Sequence, residues 1–169
     1  APGAGSTFWF VLTLQPGHGQ LAAPEASGAI APPGGPLRIL LVEDDPINQE
    51  VARELLQSAG HAVDIAANGA EALTRAEALT YDVVLMDLQM PVMDGLAATR
   101  ALRAMPAYAR IPILAMTANT FSEDRKRCLA AGMNDFIAKP VDPDHMFATI
   151  NRWAGAHAGH GAAPVLVPP

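Results

Sequence analysis

Four short apolar runs of this sequence lead directly into side chains that can carry charge or bind a charged group. In chain order these are Glu43, Asp44 and Asp45 after residues 37–42, Asp87 at the end of residues 82–87, Thr117 after 111–116, and Lys139 after 135–138. Clustered carboxylates remain ionised together when a cation joins them, and such oxygen ligands suit Mg²⁺. A lysine and a hydroxyl opposite the metal would complete a clamp around a phosphoryl group, which one carboxylate can accept as a nucleophile.

The secondary-structure elements decide whether these side chains meet. Strands are predicted at residues 37–42, 62–66, 82–87, 111–116 and 135–138. Helices are predicted between them and after the last one, at residues 46–60, 69–79, 96–103, 122–131 and 143–153. Asp45 is suited to cap the first of these helices, with Pro46 in its first turn. Apolar strands that alternate with helices predict an α/β fold, in which one doubly wound parallel sheet carries its site at the carboxyl ends of the strands.

Composition narrows the class of protein. Half of the 169 residues are hydrophobic and 17% are charged, which favours a globular domain. The formal net charge of −6 argues against nucleic-acid binding, which needs a basic face. A single cysteine, Cys128, excludes an internal disulfide and fits a reducing compartment. No apolar run reaches the roughly 20 residues of a membrane span, so we expect a cytoplasmic segment without direct membrane contact.

The Pro- and Gly-rich segments mark the expected limits of the folded unit. Residues 15–36 are rich in Pro, Gly and Ala and are predicted to form a linker. The tail at 155–169 has a similar composition. The domain is therefore expected to span residues 37–154, with a separate apolar segment at residues 1–14.

Four segments resemble a known family. Residues 41–49, 86–95, 116–118 and 138–140 are similar to the signature segments of response-regulator receiver domains of two-component signalling. The resemblance covers essentially all of residues 37–154. It implies a flavodoxin-like sheet with strand order 2-1-3-4-5 and transfer of a phosphoryl group from a phosphohistidine onto an aspartate in the presence of Mg²⁺.

The resemblance also implies roles for individual residues. Asp87 would be the phosphoacceptor, and Asp44, Asp45, Asp87 and the backbone carbonyl of Gln89 would hold Mg²⁺. Thr117 and Lys139 would bind phosphoryl oxygens, and the peptide bond between Lys139 and Pro140 would be cis. Phe136 stands where the family carries a switch aromatic that moves inward with Thr117, although the commoner residue there is Tyr.

Two details of the resemblance point to a hybrid sensor histidine kinase as the parent protein. Residues 44–49 and 86–91 are more like receivers fused to such kinases than stand-alone regulators. Residues 5–14 resemble the last strand of a histidine-kinase ATP-binding domain; alternatively, they are an ordinary edge strand or a cloning remnant. The implied partners are the phosphohistidine-bearing dimerisation domain of a histidine kinase, which can be membrane-anchored, and a histidine phosphotransfer domain.

Other interpretations stay open at this level. Asp45 can serve only as a helix cap, and Phe136 can be a plain core residue of its strand. The chain can be a stand-alone receiver, or one that acts as a docking module without turning over phosphate. A phosphohydrolase with an aspartyl-phosphate is disfavoured, because such enzymes carry a second acid two positions after the nucleophile, where this chain has Gln89. A receiver would catalyse its own phosphorylation and slow dephosphorylation without being an independent enzyme.

Overall fold

A computed structural model describes residues 35–118 and 122–158 of this chain. Its five strands form one parallel sheet in the order β2-β1-β3-β4-β5. The strands are β1 (Arg38–Val42), β2 (Ala62–Ala66), β3 (Val83–Asp87), β4 (Ile113–Thr117) and β5 (Asp135–Ala138). The helices are α1 (Pro46–Ser58), α2 (Gly69–Ala78), α3 (Gly95–Ala104), α4 (Ser122–Ala131) and α5 (Pro143–Ala158). The predicted doubly wound α/β fold and its strand order are confirmed.

The sheet is covered on both faces, because alternate residues of its central strands enter two separate hydrophobic clusters. In β3, Val84 and Met86 belong to a cluster with residues of α2, α3 and α4, whereas Val83 and Leu85 pack with residues of α1 and α5. All five residues of β3 are buried. This explains why the strand is apolar up to Asp87, where the charged site begins.

Capping aspartates and a glycine mark the ends of the helices near the site. Asp45 is the N-cap of α1, and its side chain accepts hydrogen bonds from the backbone N–H groups of Ile47 and Asn48. Asp94 caps α3 in the same way, through the N–H of Ala97. The chain leaves α1 through Gly60, whose φ of +87° suits glycine.

The ends of the domain differ slightly from the expectation. Helix α5 continues to Ala158, four residues beyond the predicted boundary at 154. Residues 1–34 lie outside the described part of the chain, so the predicted kinase strand at residues 5–14 and most of the predicted linker remain predictions. Among the described residues, no helix is long and apolar enough to cross a membrane.

Candidate functional site

The register of the sheet brings the predicted site residues to one edge. Val42 pairs with Met86, so Glu43 follows β1 at the level of Asp87, the last residue of β3. Asp87 in turn pairs with Met116, immediately before Thr117. Thr117 pairs with Ala138, immediately before Lys139. Four strand ends therefore deliver three kinds of polar group to the same place, as the sequence predicts.

Lys139 joins two carboxylates that are far apart in the sequence. Its Nζ donates a hydrogen bond of 2.7 Å to Oδ2 of Asp87 and one of 2.6 Å to Oε2 of Glu43. The exposed fractions of the side chains are 18% for Lys139, 10% for Asp87 and 2% for Glu43. Hydrogen bonds between ionised groups at such distances are among the strongest in proteins.

The pKa of Lys139 follows from this environment. Burial alone would lower the pKa of the amine, but the hydrogen bonds and charges of Asp87 and Glu43 outweigh burial and raise it above its usual value. The amine therefore stays positively charged throughout the physiological pH range.

Three carboxylates are close enough to share one cation. Among the described residues, Glu43, Asp44 and Asp87 each offer an oxygen, and these oxygens lie within 4.8 Å of one another. Glu43 and Asp87 are buried, whereas Asp44 is exposed to the cleft side. Three oxygen ligands with one open side suit Mg²⁺, which usually retains several waters. The donor set therefore fits the predicted metal.

The third acid of this group differs from the sequence prediction. Asp45 was predicted to bind the metal with Asp44, but Oδ1 of Asp45 accepts the hydrogen bonds that cap α1, at 2.8 and 3.1 Å. The carboxylate that joins Asp44 and Asp87 is instead that of Glu43. Asp45 lines the same cleft, with its Oδ1 engaged at the helix terminus.

The first turn of α1 holds Glu43 in place. Asn48 donates from Nδ2 to Oε1 of Glu43 at 3.1 Å, and Gln49 donates from Nε2 to the backbone carbonyl of Glu43 at 2.7 Å. Each carboxylate oxygen of Glu43 thus accepts one hydrogen bond, Oε1 from Asn48 and Oε2 from Lys139. Sequence reasoning did not assign roles to Asn48 and Gln49. The sequence feature that could have indicated these contacts is a pair of amide side chains within six residues of an acid at a strand end.

The loop after β3 positions the carboxylate of Asp87 from its own side. The backbone N–H of Gln89 donates to Oδ1 of Asp87 at 3.2 Å. Gly95 closes the loop, since its N–H bonds the carbonyl of Leu88 and a Cβ at this position would overlap the carbonyl oxygen of Asp87. Val92, at the tip of the loop, has a φ of +69° and is 86% exposed.

The remaining predicted residues lie on the β4 and β5 side. Thr117 is buried at the end of β4, and its backbone carbonyl accepts from the N–H of Lys139 at 2.8 Å. The peptide bond between Lys139 and Pro140 is cis, as the resemblance implied. Phe136 is half-buried on β5, and the guanidinium carbon of Arg125 lies 4.9 Å from the centre of its ring.

These residues surround an open cleft of about 750 Å³ at the carboxyl edge of the sheet. The cleft is lined by Glu43, Asp44, Asp45, Asn48, Asp87, Leu88, Gln89, Met90, Pro91, Asp94, Leu96, Thr117, Ala118, Arg127, Cys128 and Lys139. Phe136 is not among the lining residues and instead borders a small neighbouring pocket. Several carboxylates, a lysine and a threonine thus line one space.

The family model described as the response regulator receiver domain matches residues 39–151. The chain belongs to this family. The receiver domain of the sensor histidine kinase PA1611 from Pseudomonas aeruginosa, solved with a magnesium ion coordinated in its active site cleft, is 45% identical to this chain. The match covers 72% of this chain and 99% of that one, with a TM-score of 0.68.

Two further relatives show the setting in which similar receivers occur. Hybrid signal transduction histidine kinase K of Dictyostelium discoideum is 39% identical over 155 residues, which cover 86% of this chain and 13% of that protein. The receiver spans only a small part of that relative. The receiver domain of Ssk1 from Saccharomyces cerevisiae, co-crystallised with the histidine phosphotransfer protein Ypd1, is 28% identical, covering 74% of this chain and 93% of that one with a TM-score of 0.68. This chain is thus a two-component receiver domain that resembles those of hybrid histidine kinases.

Proposed function

We propose that this receiver accepts a phosphoryl group from a phosphohistidine onto the carboxylate of Asp87, in a phosphorelay that includes a hybrid sensor histidine kinase. The observation that carries the proposal is the position of Asp87. It ends a fully buried strand, where a charge is unfavourable unless it is paired or used, and its two oxygens face Lys139 and the N–H of Gln89.

The contacts of Asp87 support a role as nucleophile. A bond forms between one of its carboxylate oxygens and phosphorus while the bond between phosphorus and the donor imidazole breaks, and the electron pair leaves with the imidazole nitrogen. Lys139 lies close enough to Asp87 to donate to phosphoryl oxygens as negative charge builds up there. The hydroxyl of Thr117 is proposed to bind another of these oxygens. Water later hydrolyses the acyl phosphate at the same site.

We propose that Asp44, Asp87 and Glu43 hold Mg²⁺, together with the backbone carbonyl of Gln89. When bound, the ion neutralises charge on the phosphoryl group and on the carboxylates. The group of three close oxygens supports this assignment. Asp45, which the sequence suggested as a ligand, is assigned to the helix cap instead.

Helix α1 offers a surface for the proposed phosphohistidine partner. Ile47 and Val51 lie one turn apart on this helix and are 72% and 52% exposed, next to Asn48 at the edge of the cleft. A partner that presents its histidine to Asp87 would cover these apolar side chains. The yeast receiver was solved together with a histidine phosphotransfer protein, which supports a histidine phosphotransfer protein as a partner of this chain.

The conformational response is proposed to involve Thr117 and Phe136. Movement of Thr117 toward the phosphoryl group would leave space next to β4, and Phe136 on the adjacent β5 would move inward to fill it. The parent protein is proposed to be a hybrid kinase, because the match with the Dictyostelium kinase covers 86% of this chain and so extends beyond residues 39–151.

The test of the proposed acceptor is labelling by acetyl phosphate in the presence of Mg²⁺, followed by intact-mass measurement and peptide mapping. We expect one phosphoryl group on Asp87 and none in Asp87→Asn, because the amide retains the shape but cannot attack. Asp94→Asn is the matched control, since it removes another carboxylate from the cleft while asparagine remains a good helix cap. Stoichiometric labelling of folded Asp87→Asn would refute the assignment and favour another acceptor.

The metal assignment is tested by Mg²⁺ titration of two neighbouring variants. Asp44→Asn should weaken Mg²⁺ binding by about tenfold or more, because it removes one unit of charge beside a divalent ion. Asp45→Asn preserves the cap of α1 and should change the affinity by less than about threefold, as expected for a partly screened nearby charge. The reverse order would restore Asp45 as the ligand.

A further inference from the structure

Every polar group of Glu43 has a partner. Its backbone N–H donates to the carbonyl of Ala66 at the end of β2 at 3.1 Å, and its carbonyl accepts from Nε2 of Gln49 at 2.7 Å. Its carboxylate accepts from Nδ2 of Asn48 at 3.1 Å and from Nζ of Lys139 at 2.6 Å. The side chain is 2% exposed, so water cannot readily replace a partner that is lost. The backbone and the carboxylate of Glu43 are therefore held by separate groups.

The orientation of this carboxylate matters for the metal assignment. Glu43 contributes one of the three oxygens that lie within 4.8 Å of one another, with Asp44 and Asp87. A glutamate side chain can adopt many rotamers, and its carboxylate joins the other two only in some of them. Ordering a free side chain at the moment of binding weakens affinity, whereas a side chain that is already held in place needs no such ordering. A contact that fixes Glu43 should therefore tighten Mg²⁺ binding.

The two partners of the carboxylate differ in charge and in what else they contact. Lys139 also donates to Asp87 at 2.7 Å, and its charge offsets part of the negative charge that attracts a cation. In the proposed transfer it would turn toward a phosphoryl oxygen. Asn48 is neutral, so it orients the carboxylate without offsetting its charge. It lines the cleft from the first turn of α1, where its backbone N–H donates to Oδ1 of the Asp45 cap at 3.1 Å. Asn48 is thus the partner that can hold Glu43 both before and after phosphoryl transfer.

We propose that Asn48 is a positioning residue of the metal site, whose amide holds the carboxylate of Glu43 in the orientation that joins Asp44 and Asp87 around Mg²⁺. This inference rests on the proposed function, because it assigns a support to one of the proposed ligands. The group of Asn48 that faces Glu43 is Nδ2, an N–H donor, so it acts on the ligand rather than on the ion. Removing a hydrogen bond that orients a metal ligand typically lowers the affinity for the metal.

The experiment measures the Mg²⁺ affinity of the unphosphorylated chain by isothermal titration calorimetry. Asn48→Ala should weaken binding by about threefold to tenfold, as expected for the loss of one hydrogen bond at the edge of the cleft. Asn48→Gln should recover part of the loss, because it keeps an N–H donor on a side chain one methylene longer. Gln57→Ala is the matched control, since it removes an exposed amide from the last turn of the same helix, outside the cleft. It should leave the affinity unchanged within about twofold.

A double-mutant cycle shows whether Asn48 acts through Glu43. Glu43→Gln should itself weaken Mg²⁺ binding, and Asn48→Ala should add less than about twofold in that background, because the charged ligand that it positions is gone. The inference is overturned if Asn48→Ala and Gln57→Ala agree within about twofold. It is also overturned if Asn48→Ala has the same effect with and without Glu43→Gln, which would indicate a general change in α1.

The same measurements separate this inference from the proposed function. If Glu43→Gln binds Mg²⁺ as tightly as wild type, the proposed ligand set fails and this inference fails with it. Weakened binding in Glu43→Gln together with unchanged binding in Asn48→Ala refutes this inference alone.

Discussion

Replacing Lys139 by alanine tests how the carboxylates of the site are held together without metal. The amine is the common partner of Oε2 of Glu43 and Oδ2 of Asp87, at 2.6 and 2.7 Å. Its removal leaves two buried carboxylates near each other, with exposed Asp44 adding a third charge. We therefore expect Lys139→Ala to lower the free energy of unfolding in Mg²⁺-free buffer.

The magnitude follows from burial and from the open side of the site. Removing one partner of a fully buried ion pair costs about 3–5 kcal/mol, because the remaining charge is unpaired. Here the exposed fractions of 2% for Glu43, 10% for Asp87 and 18% for Lys139 place the pair close to solvent on one side. Solvent screening on that side reduces the penalty, so we expect a loss of about 2–3 kcal/mol at neutral pH.

Urea denaturation with EDTA and with Mg²⁺ provides the assay. A ligand that binds the folded state at 100 times its dissociation constant adds about 2.7 kcal/mol to stability. Mg²⁺ should bind Lys139→Ala at least as tightly as wild type, because the amine no longer competes for the carboxylates. The stability difference between variant and wild type should therefore shrink when Mg²⁺ is present.

Arg152→Ala serves as the control for loss of an ordinary ion pair. Its partner is Asp135 at 3.1 Å, and the side chain of Arg152 is 64% exposed, so we expect a change of at most about 1 kcal/mol that Mg²⁺ does not alter. Lys139 does not hold the carboxylates together if Lys139→Ala is as stable as wild type in EDTA, or if its deficit is the same with and without Mg²⁺. The raised pKa of Lys139 also requires its contribution to persist at neutral pH and to decline only as pH rises through that raised pKa, above about 10.5.

Three further predictions concern other parts of the chain. Burial lowers the pKa of His61, whose Nδ1 accepts a hydrogen bond from the N–H of Leu37 at 3.2 Å. The contribution of His61 to stability should therefore be full above pH ~6.5 and should fall as the pH decreases from there toward the lowered pKa. His61→Asn keeps an acceptor, so in urea titrations it should lose less stability than wild type between pH 7.5 and 5.5. Gly95→Ala should lower the free energy of unfolding by about 2–3 kcal/mol in the same assay and should slow labelling by acetyl phosphate, because the new Cβ overlaps the carbonyl oxygen of Asp87. A variant that is as stable and as readily labelled as wild type would contradict this packing. Deletion of residues 1–36 should leave the cooperative unfolding transition and labelling intact, and loss of the transition by calorimetry would make that segment part of the domain.

The fold was predictable because each element carries a strong local signal. β3 and β4 are continuous apolar runs that end at the predicted positions of Asp87 and Thr117, within a residue or two. Helix α1 begins at the predicted Pro46 behind its Asp45 cap. Such signals fix where elements begin and end, and the parallel arrangement then follows from alternation with helices. The alignment of Glu43 with Asp87 depends on how β1 pairs with β3, so it cannot be read from the sequence of β1 alone.

The site was predictable as a group but not in every member. Three consecutive acids follow β1, and the chain turns from strand to helix within them, so a shift of one residue changes which side chain faces the cleft. Asp45 lies outside the group of three close carboxylates, because an acid directly before Pro46 caps the helix terminus. The contact between Lys139 and Glu43 joins residues 96 positions apart, and no local pattern indicates it.

The balance of charge at this edge explains why the domain tolerates such a cluster. Glu43, Asp44 and Asp87 carry three negative charges, and Lys139 supplies one positive charge, so the remaining charge of the group matches one divalent cation. If the cluster were neutralised fully by side chains, it would be more stable and would have little affinity for Mg²⁺. The uncompensated charge is therefore the property that favours metal binding. In the proposed transfer, the arriving phosphoryl group would restore negative charge after Mg²⁺ has bound, so Lys139 would exchange a carboxylate oxygen for a phosphoryl oxygen.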